Sequence, residues 1–586
     1  MQGIYDRILL IDLEKKIFRT ISFSQICVDS SFGGKDLCTR LLLKLNPPGA
    51  DALGPDNHLI FGTGPAAGNM VWGGCRYGVF TKSPLTGGYL ESYSGGKVPE
   101  AMDAAGYDAI AIRGQSDEPV ILRIHPEGCE FLDGSELWGA DTFTAEDKAR
   151  AMCFSKEKQY KKTGAIVIGP AGEKLVPFAI IANDHWRCAG RGGAGAVMGS
   201  KKIKAMVFQG SAKRSVAHPE KLTAFSKRFM HEAKDTPGVK AYKSLGTTQM
   251  VALLNTAGAF PAQYWNLGRV KHWKEISGDF LHHEHEVKPE ACAKCFMACG
   301  RKTLIKKGRH KGLKLGGPEY ETIYAFGGLC MIKDITEIAG LNDLCDRLGL
   351  DTITSGNLCA LVMEGGRLGR MEEILEYGDA AGTRALIENM VDGKGIGGVL
   401  AKGICRAGSE LGLEDLVVEV KGMEPAGYDP RVLKGMGLSY AVSDRGACHL
   451  RTTFYKPELA GMIDPAVTRD KAGMVIDFEN RLTIFDSLIL CRFFRDLYSW
   501  DVLRELIFFL TGMDLTIEEL SQKAAQITDS ARQFNLREGL GPETDRLPPR
   551  FFKEPLPSGH AITEEEMNEM LDDYYRIKGW NRDGGL

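Results

Sequence analysis

The spacing of apolar residues changes character along the chain. The first part carries short apolar runs bounded by turn residues, which predicts strands. Residues 7–13 and 17–21 flank the Glu14-Lys15-Lys16 turn, and residues 120–125 and 129–132 flank a Pro-Glu-Gly turn as a hairpin. Residues 165–168, 177–181 and 205–208 add three further strand-like runs. Between them lie GGKD, GTGPAAG, TGGYLESYSGG and AGRGGAGAVMGSKK, which read as glycine loops. From about Ala212 the spacing turns helical, over residues 219–233, 334–348, 354–368, 379–391 and 396–411. Pro425-Ala426-Gly427-Tyr428-Asp429-Pro430 reads as a linker. Beyond it, residues 501–511, 516–534 and 563–577 are helical again, with an extended strap at 547–559. The predicted class is α+β: a β-rich N-terminal domain (1–211), then two mainly α-helical domains (212–424 and 425–586).

Charge and composition narrow the function. Lys and Arg total 73 against 76 Asp and Glu, so the net charge is −3. That balance argues against nucleic acid as a partner and against an anionic membrane surface. No apolar stretch approaches the roughly 20 residues of a membrane span, and the N-terminus lacks the apolar core of a secretory signal. A cytoplasmic protein is expected. Its 15 cysteines, an odd number, are then free thiols or metal ligands rather than disulfides. Glycine, at 70 residues, is enriched, as tight turns or close backbone approach to a ligand require.

The strongest chemical signal is Cys292-Ala-Lys-Cys295-Phe-Met-Ala-Cys299. Three thiols at this spacing suit an iron–sulfur cubane completed by a fourth thiolate from elsewhere. Zinc usually takes two CxxC knuckles, and no second one exists here. Asp346-Arg-Leu-Gly349-Leu350-Asp351 places two acids around a glycine that suits a helix end. Asp486-Ser-Leu-Ile-Leu490-Cys491 partly echoes it and makes Cys491 a candidate fourth ligand. Arg187 and Arg191 sit among glycines, as do Arg76 (GGCRYG) and Ser94-Gly95-Gly96, an environment that suits phosphate. Neither a P-loop nor a dinucleotide fingerprint is present. Glu319 and Glu321 follow a Pro turn, and His449 sits among small residues, so either segment offers a proton donor or acceptor. The HHEHE run at 282–286 reads as solvated surface.

Together these segments resemble the tungsten-dependent aldehyde:ferredoxin oxidoreductase family. The likeness runs through GGKDLCTRLLL, YGVFTKSPLTGG, AGYDAIAIRG, the 187–201 loop, GPEYET, DPRVLKGMGLSYAVSDRGACHL, LPPRFF and YYRIKGW. It implies a tungsten-bis(pyranopterin dithiolene) cofactor, a [4Fe-4S] cluster and Mg2+ bridging the pterin phosphates. It assigns the cluster to Cys292, Cys295, Cys299 and Cys491. It places pterin-ring contacts at Asp346, Asp351, Asp486 and Leu490. Phosphate and magnesium contacts fall around Arg76, Tyr93, Gly95, Arg187 and Cys188, and the catalytic pair is Glu321 and His449. The implied reaction oxidises aldehydes to carboxylic acids and sends electrons through the cluster to ferredoxin or a ferredoxin-like iron–sulfur subunit.

This sequence departs from the family pattern at Glu91, Lys97-Val98 and Ile489. Lys97 suggests a more polar pocket mouth, and Ile489, where glycine is common, a tighter turn. The Glu-x-x-His segment that bridges some family dimers is not found, which leaves a homo-oligomer open. Two alternatives stand beside the main reading. One is the active-site subunit of an ATP-independent aromatic acyl-CoA (benzoyl-CoA) reductase of the same superfamily. The other is a non-catalytic iron–sulfur scaffold.

Overall fold

Two-residue alternation builds roughly the first third of the protein. In the computed structural model, which describes residues 2–25, 31–153, 160–372 and 375–581, twelve strands form two six-stranded sheets. The first contains β1 (Ile8–Asp12), β2 (Ile17–Ile21), β3 (Leu59–Gly62), β4 (Tyr77–Lys82), β5 (Tyr89–Ser94) and β6 (Ala109–Arg113), in the order β2-β1-β6-β3-β4-β5. The second contains β7 (Val120–His125), β8 (Gly128–Asp133), β9 (Lys162–Val167), β10 (Ile181–Asn183), β11 (Arg187–Ala189) and β12 (Ile203–Gly210), in the order β11-β10-β9-β12-β7-β8. Only β1 with β6 and β7 with β12 pair in parallel.

The sheets face one another. Leu9, Ile11, Phe61, Val79, Ile110 and Ile112 of the first pack against Leu122, Ile124, Ile166, Met206 and Phe208 of the second. Alternate residues point the other way. Ile8, Ile60, Ala109 and Ala111 cover helix α1 (Gly34–Leu45), and Ala165, Val167, Ala205 and Val207 cover the helix Thr142–Met152. The result is a helix–sheet–sheet–helix stack, with small residues where helices approach closely.

The β-rich expectation holds, with corrections. TGGYLESYSGG is not only a loop, because β5 lies inside it; β3, β4 and β6 were likewise not singled out as strands. These strands are buried on both faces, so alternation is hidden. Residues 177–181 do not form a strand: only Ile181 enters β10, and Ala179 makes an isolated bridge to Leu350.

The remainder is mainly helical, apart from a three-stranded sheet formed by β13 (Glu286–Glu290), β14 (Gly300–Leu304) and β15 (Lys314–Gly316). Helices α2 (Ile335–Leu348) and α3 (Thr352–Arg367) meet as predicted at Gly349, which takes the left-handed conformation (φ +79°) that ends α2. Residues 396–411 form two short helices, Gly395–Leu400 and Ile404–Glu410, and the 547–559 strap contains the short helix Pro549–Lys553. Helix α4 (Lys471–Leu488) was not predicted. It is buried around most of its circumference and shows no single apolar stripe. No helix among the described residues is long and apolar enough to cross a membrane.

Candidate active site

The hairpin β13–β14 holds the CxxCxxxC segment in its connection, between Glu290 and Gly300. Cys491 arrives just beyond α4, anchored by its N–H to the Gly73 carbonyl at 2.8 Å. Gly73 in turn donates to the Lys294 carbonyl at 3.0 Å. These backbone bonds bring the 292–299 loop, the 73–76 segment and Cys491 into one apolar group with Trp72, Phe296, Phe494 and Tyr498. A fifth thiol, Cys75, lies there too, hydrogen-bonded to Cys292 and Cys491. Cys491 Sγ accepts from Arg76 Nη2 at 3.2 Å, and Cys292 Sγ from the Gly96 N–H at 3.1 Å. The Cys75 thiol holds Cys292 down at about 5 against the cost of burial, with Arg187 and Arg76 adding to the effect. Cys491 is lowered for the same leading reason, helped by Arg76. Burial pushes Cys295 up to about 12. No disulfide joins any of the described cysteines. Among the described residues no three His, Cys, Asp or Glu side chains close on a point that would hold a single metal ion.

Arg76 also borders a cavity of about 230 Å³ lined by Tyr93, Tyr242, Glu321, Tyr428, His449, Tyr455, Asp486, Leu490, Arg492 and Arg495. Glu321 reaches it from the short helix Tyr320–Ile323, which runs into the π-helical turn Tyr324–Leu329. Such turns often mark functional positions. Glu321 Oε2 accepts from the Gly427 N–H at 3.0 Å, so the segment read as a linker is in fact a buried wall of the site. Glu321 Oε1 lies 3.5 Å from His449 Nε2. Burial raises the Glu321 carboxyl to about 7, with the Gly427 N–H and Arg191 opposing. Burial pushes His449 far down, and Arg191, Arg445, Arg492 and Arg495 push the same way. The pair is therefore a neutral imidazole beside a carboxyl poised to exchange a proton near neutrality. Glu321 Oε1 and His449 Nδ1 have no hydrogen-bond partner, which leaves both facing an incomplete environment.

Of the other singled-out residues, Tyr93, Asp486 and Leu490 line this cavity, whereas Asp346, Asp351, Gly95, Arg187 and Cys188 do not. Asp346 ends α2 and accepts from Asn342 at 2.7 Å. Asp351 caps α3 and meets Arg191 Nε at 3.3 Å. The turn between them is docked on the sheet domain by Ile180 N–H to Gly349 O and Asp351 N–H to Phe178 O. Arg191 is not an exposed loop cation: it is buried between Asp351, Glu424 and the Ala447 carbonyl. Asp486 is held by Arg451 and Arg492. Arg187 and Cys188 lie on β11, and the Arg187 guanidinium, 3.9 Å from Glu290, is close enough to Cys292 and Cys299 to be affected by their charge. Tyr93 donates to Glu91 at 2.5 Å, and Glu91 also pairs with buried Lys35 and Arg451. Gly95 packs so closely that a Cβ there would lie 2.7 Å from Arg76 Nη1 and 3.0 Å from Cys292 Sγ. Ile489 adopts φ +65°, a left-handed conformation costly for a β-branched residue. Lys97 does not line this cavity; it borders a separate surface cleft with Asp184 and Trp186. The HHEHE run is only partly surface: His283 and Glu284 are paired there, while His285 is buried and accepts the Lys306 N–H.

Two family models match most of the chain. Residues 8–210 match the profile described as aldehyde ferredoxin oxidoreductase, N-terminal domain, and residues 224–586 match aldehyde ferredoxin oxidoreductase, domains 2 & 3. The chain belongs to the aldehyde ferredoxin oxidoreductase family. The tungsten-containing aldehyde ferredoxin oxidoreductases of Pyrococcus furiosus and Thermococcus kodakarensis are each 35% identical to it, over 100% of this chain and 98% of theirs. An aliphatic sulfonate oxidoreductase WOR-like subunit of P. furiosus is 28% identical over 99% of this chain and 95% of its own. The fold is shared with a solved benzoyl coenzyme A reductase active-site complex, BamBC, at a TM-score of 0.82 and 22% identity, covering 99% of this chain and 95% of that one.

Sequence reasoning passed over five members of the site. Cys75 was visible beside Arg76, but a lone thiol outside a spaced motif carries no signal. Arg492 and Arg495 follow Cys491 directly and were likewise unremarked. Tyr428 and Tyr455, stacked with ring centroids 4.0 Å apart, meet only through the fold.

Proposed function

We propose that this aldehyde ferredoxin oxidoreductase family member oxidises aldehydes to carboxylic acids and passes the electrons to ferredoxin or a ferredoxin-like iron–sulfur subunit. One observation carries the reading. A proton-transfer pair, Glu321 and His449, shares a cavity with Arg76, whose guanidinium also holds a sulfur of the thiol group. The donors suit the implied groups. Thiols bonded by Arg76 and the Gly96 N–H fit an iron–sulfur cluster, with Cys292, Cys295, Cys299 and Cys491 as its ligands. Asp346, Asp351, Asp486 and Leu490 would hold the pterin rings; Arg76, Tyr93, Gly95, Arg187 and Cys188 would hold the phosphate ends with Mg2+. When bound, the tungsten–pterin group supplies the two-electron redox centre and the cluster a one-electron relay.

The chain's own residues do the rest. Conversion of an aldehyde and water to an acid releases two electrons and two protons. Glu321, ionised in about half of molecules at its raised value near 7, takes a proton at Oε1. Neutral His449 positions the donor of that proton from Nε2. The aromatic walls, Tyr428 and Tyr455 among them, exclude bulk water and pack against the substrate. Full-length relatives at 35% identity favour this reading over an acyl-CoA reductase or a scaffold. The same proposal divides the chain at 211/212 and 424/425 and places it in the cytoplasm. Anaerobic oxidation of aldehydes coupled to a viologen dye, with metal analysis of the same protein, is the test. Active protein without tungsten or molybdenum, or without iron and sulfide, refutes it.

A further inference from the structure

Five thiols meet beside Arg76, and a cubane takes four. Cys292, Cys295, Cys299 and Cys491 are the ligands of the proposed function, which leaves Cys75 without a role. The backbone nevertheless fixes it among them. The Gly73 carbonyl accepts from the Cys75 N–H and from the Cys491 N–H, each at 2.8 Å. The Gly73 N–H donates to the Lys294 carbonyl, within the 292–299 loop, at 3.0 Å. Gly73 thus ties the segment of Cys75 to both parts of the chain that carry ligands. The segment has no room to move aside. A Cβ on Gly73 would lie 2.9 Å from the Phe494 ring, and one on Gly74 2.4 Å from the Ala66 carbonyl oxygen. The Tyr498 hydroxyl holds the Trp72 carbonyl at 2.7 Å.

Cys75 itself is 1% exposed, and its side chain is hydrogen-bonded to both Cys292 and Cys491. The same two sulfurs receive the other donors of the group: Arg76 Nη2 reaches Cys491 and the Gly96 N–H reaches Cys292. A fifth thiolate here would be a buried like charge among four others, with no cation of its own. A thiol avoids that charge and has one S–H to give.

We propose that Cys75 is a positioning residue for the cluster rather than a ligand, its S–H shared between the ligand sulfurs of Cys292 and Cys491, and that it raises the cluster's reduction potential. The proposal rests on the cluster of the proposed function and adds the residue that tunes it. Reduction brings one electron to the cluster, and part of the added charge falls on the ligand sulfurs. A donor to those sulfurs holds the reduced form more tightly than the oxidised form, so the potential rises. The proton stays on Cys75 in both states.

The test is a dye-equilibrated redox titration of the anaerobic holoenzyme, followed by the electron paramagnetic resonance signal of the reduced cluster. In Cys75→Ala the ratio of reduced to oxidised cluster at a fixed potential falls about tenfold, which is a drop of about 59 mV for one electron. Cys75→Ser keeps a donor in the same place and restores most of that loss. A residue that merely filled space would shift both variants alike, and a ligand would take iron and sulfide with it. A second readout needs no variant. Infrared difference spectra of the wild type, reduced minus oxidised, show an S–H stretching band that moves to lower frequency on reduction and shifts in D2O. That band is missing from Cys75→Ala. Equal potentials in the wild type and Cys75→Ala, equal shifts in the alanine and serine variants, or iron loss from Cys75→Ala each overturn the proposal. So does a wild-type spectrum without a redox-sensitive S–H band, and that spectrum decides should the variants not fold. Wild-type protein without iron and sulfide ends the cluster reading itself, and the proposal falls with it.

Discussion

Glu321→Gln keeps the shape of the acid and removes its ionisation. Burial lifts this carboxyl from 4.5 to about 7. That rise makes the ionised form about 3 kcal/mol harder to reach than in water. If ionised Glu321 accepts the proton, kcat/KM rises about tenfold per pH unit up to about 7 and then levels. His449, held far below its usual range by burial and four arginines, is neutral throughout and adds no second limb. In Glu321→Gln the limb near 7 disappears and kcat/KM falls by roughly 10²–10⁴, the usual worth of a positioned base. Stability moves the opposite way. The folded acid binds its proton more tightly than the unfolded one, so ionisation weakens the fold as pH rises from 4.5 through about 7. The glutamine variant therefore melts above the wild type at alkaline pH, by up to about 3 kcal/mol, and matches it below the unfolded value. The assay is viologen-linked benzaldehyde oxidation over about pH 5.5–9, with melting curves at both ends. A variant retaining activity within threefold of wild type, or keeping the limb near 7, refutes the assignment.

Three further outcomes follow from the packing. Cys491→Ala lowers iron and sulfide content and bleaches the visible absorbance, whereas Cys75→Ala retains both; iron loss in the Cys75 variant instead would make that thiol a ligand. Gly95→Ala drives a Cβ to 2.7 Å from Arg76 Nη1 and 3.0 Å from Cys292 Sγ, so the variant keeps its circular dichroism but binds less iron, and wild-type iron content would contradict this. Arg214→Met strands the buried carboxylates of Asp103 and Asp108, which Arg214 now bonds, and costs about 3–5 kcal/mol; an unchanged melting temperature would show the cluster to be dispensable.

How much of this was legible depended on how local each signal is. Gly349 announced the end of α2 because a helix end needs a left-handed residue, and neighbouring residues suffice to say so. The spacing of Cys292, Cys295 and Cys299 marks a candidate cluster-binding loop for the same reason. By contrast β3 to β6 and α4 are buried on nearly every side, so neither alternation nor an amphipathic stripe marked them. Arg191, read as a phosphate-seeking loop cation, became an internal ion-pair partner once Asp351 and Glu424 were packed around it.

Residue order alone determined the α+β succession, the cysteine motif, the helix ends and the family resemblance, since each depends on contacts within a few positions. Tertiary structure decided which distant groups meet. It set Glu321 against His449 and put Cys75 and Arg76 beside Cys491. These pairings depend on burial and on chain segments far apart in sequence, and desolvation acts on a group only after the fold has removed its water.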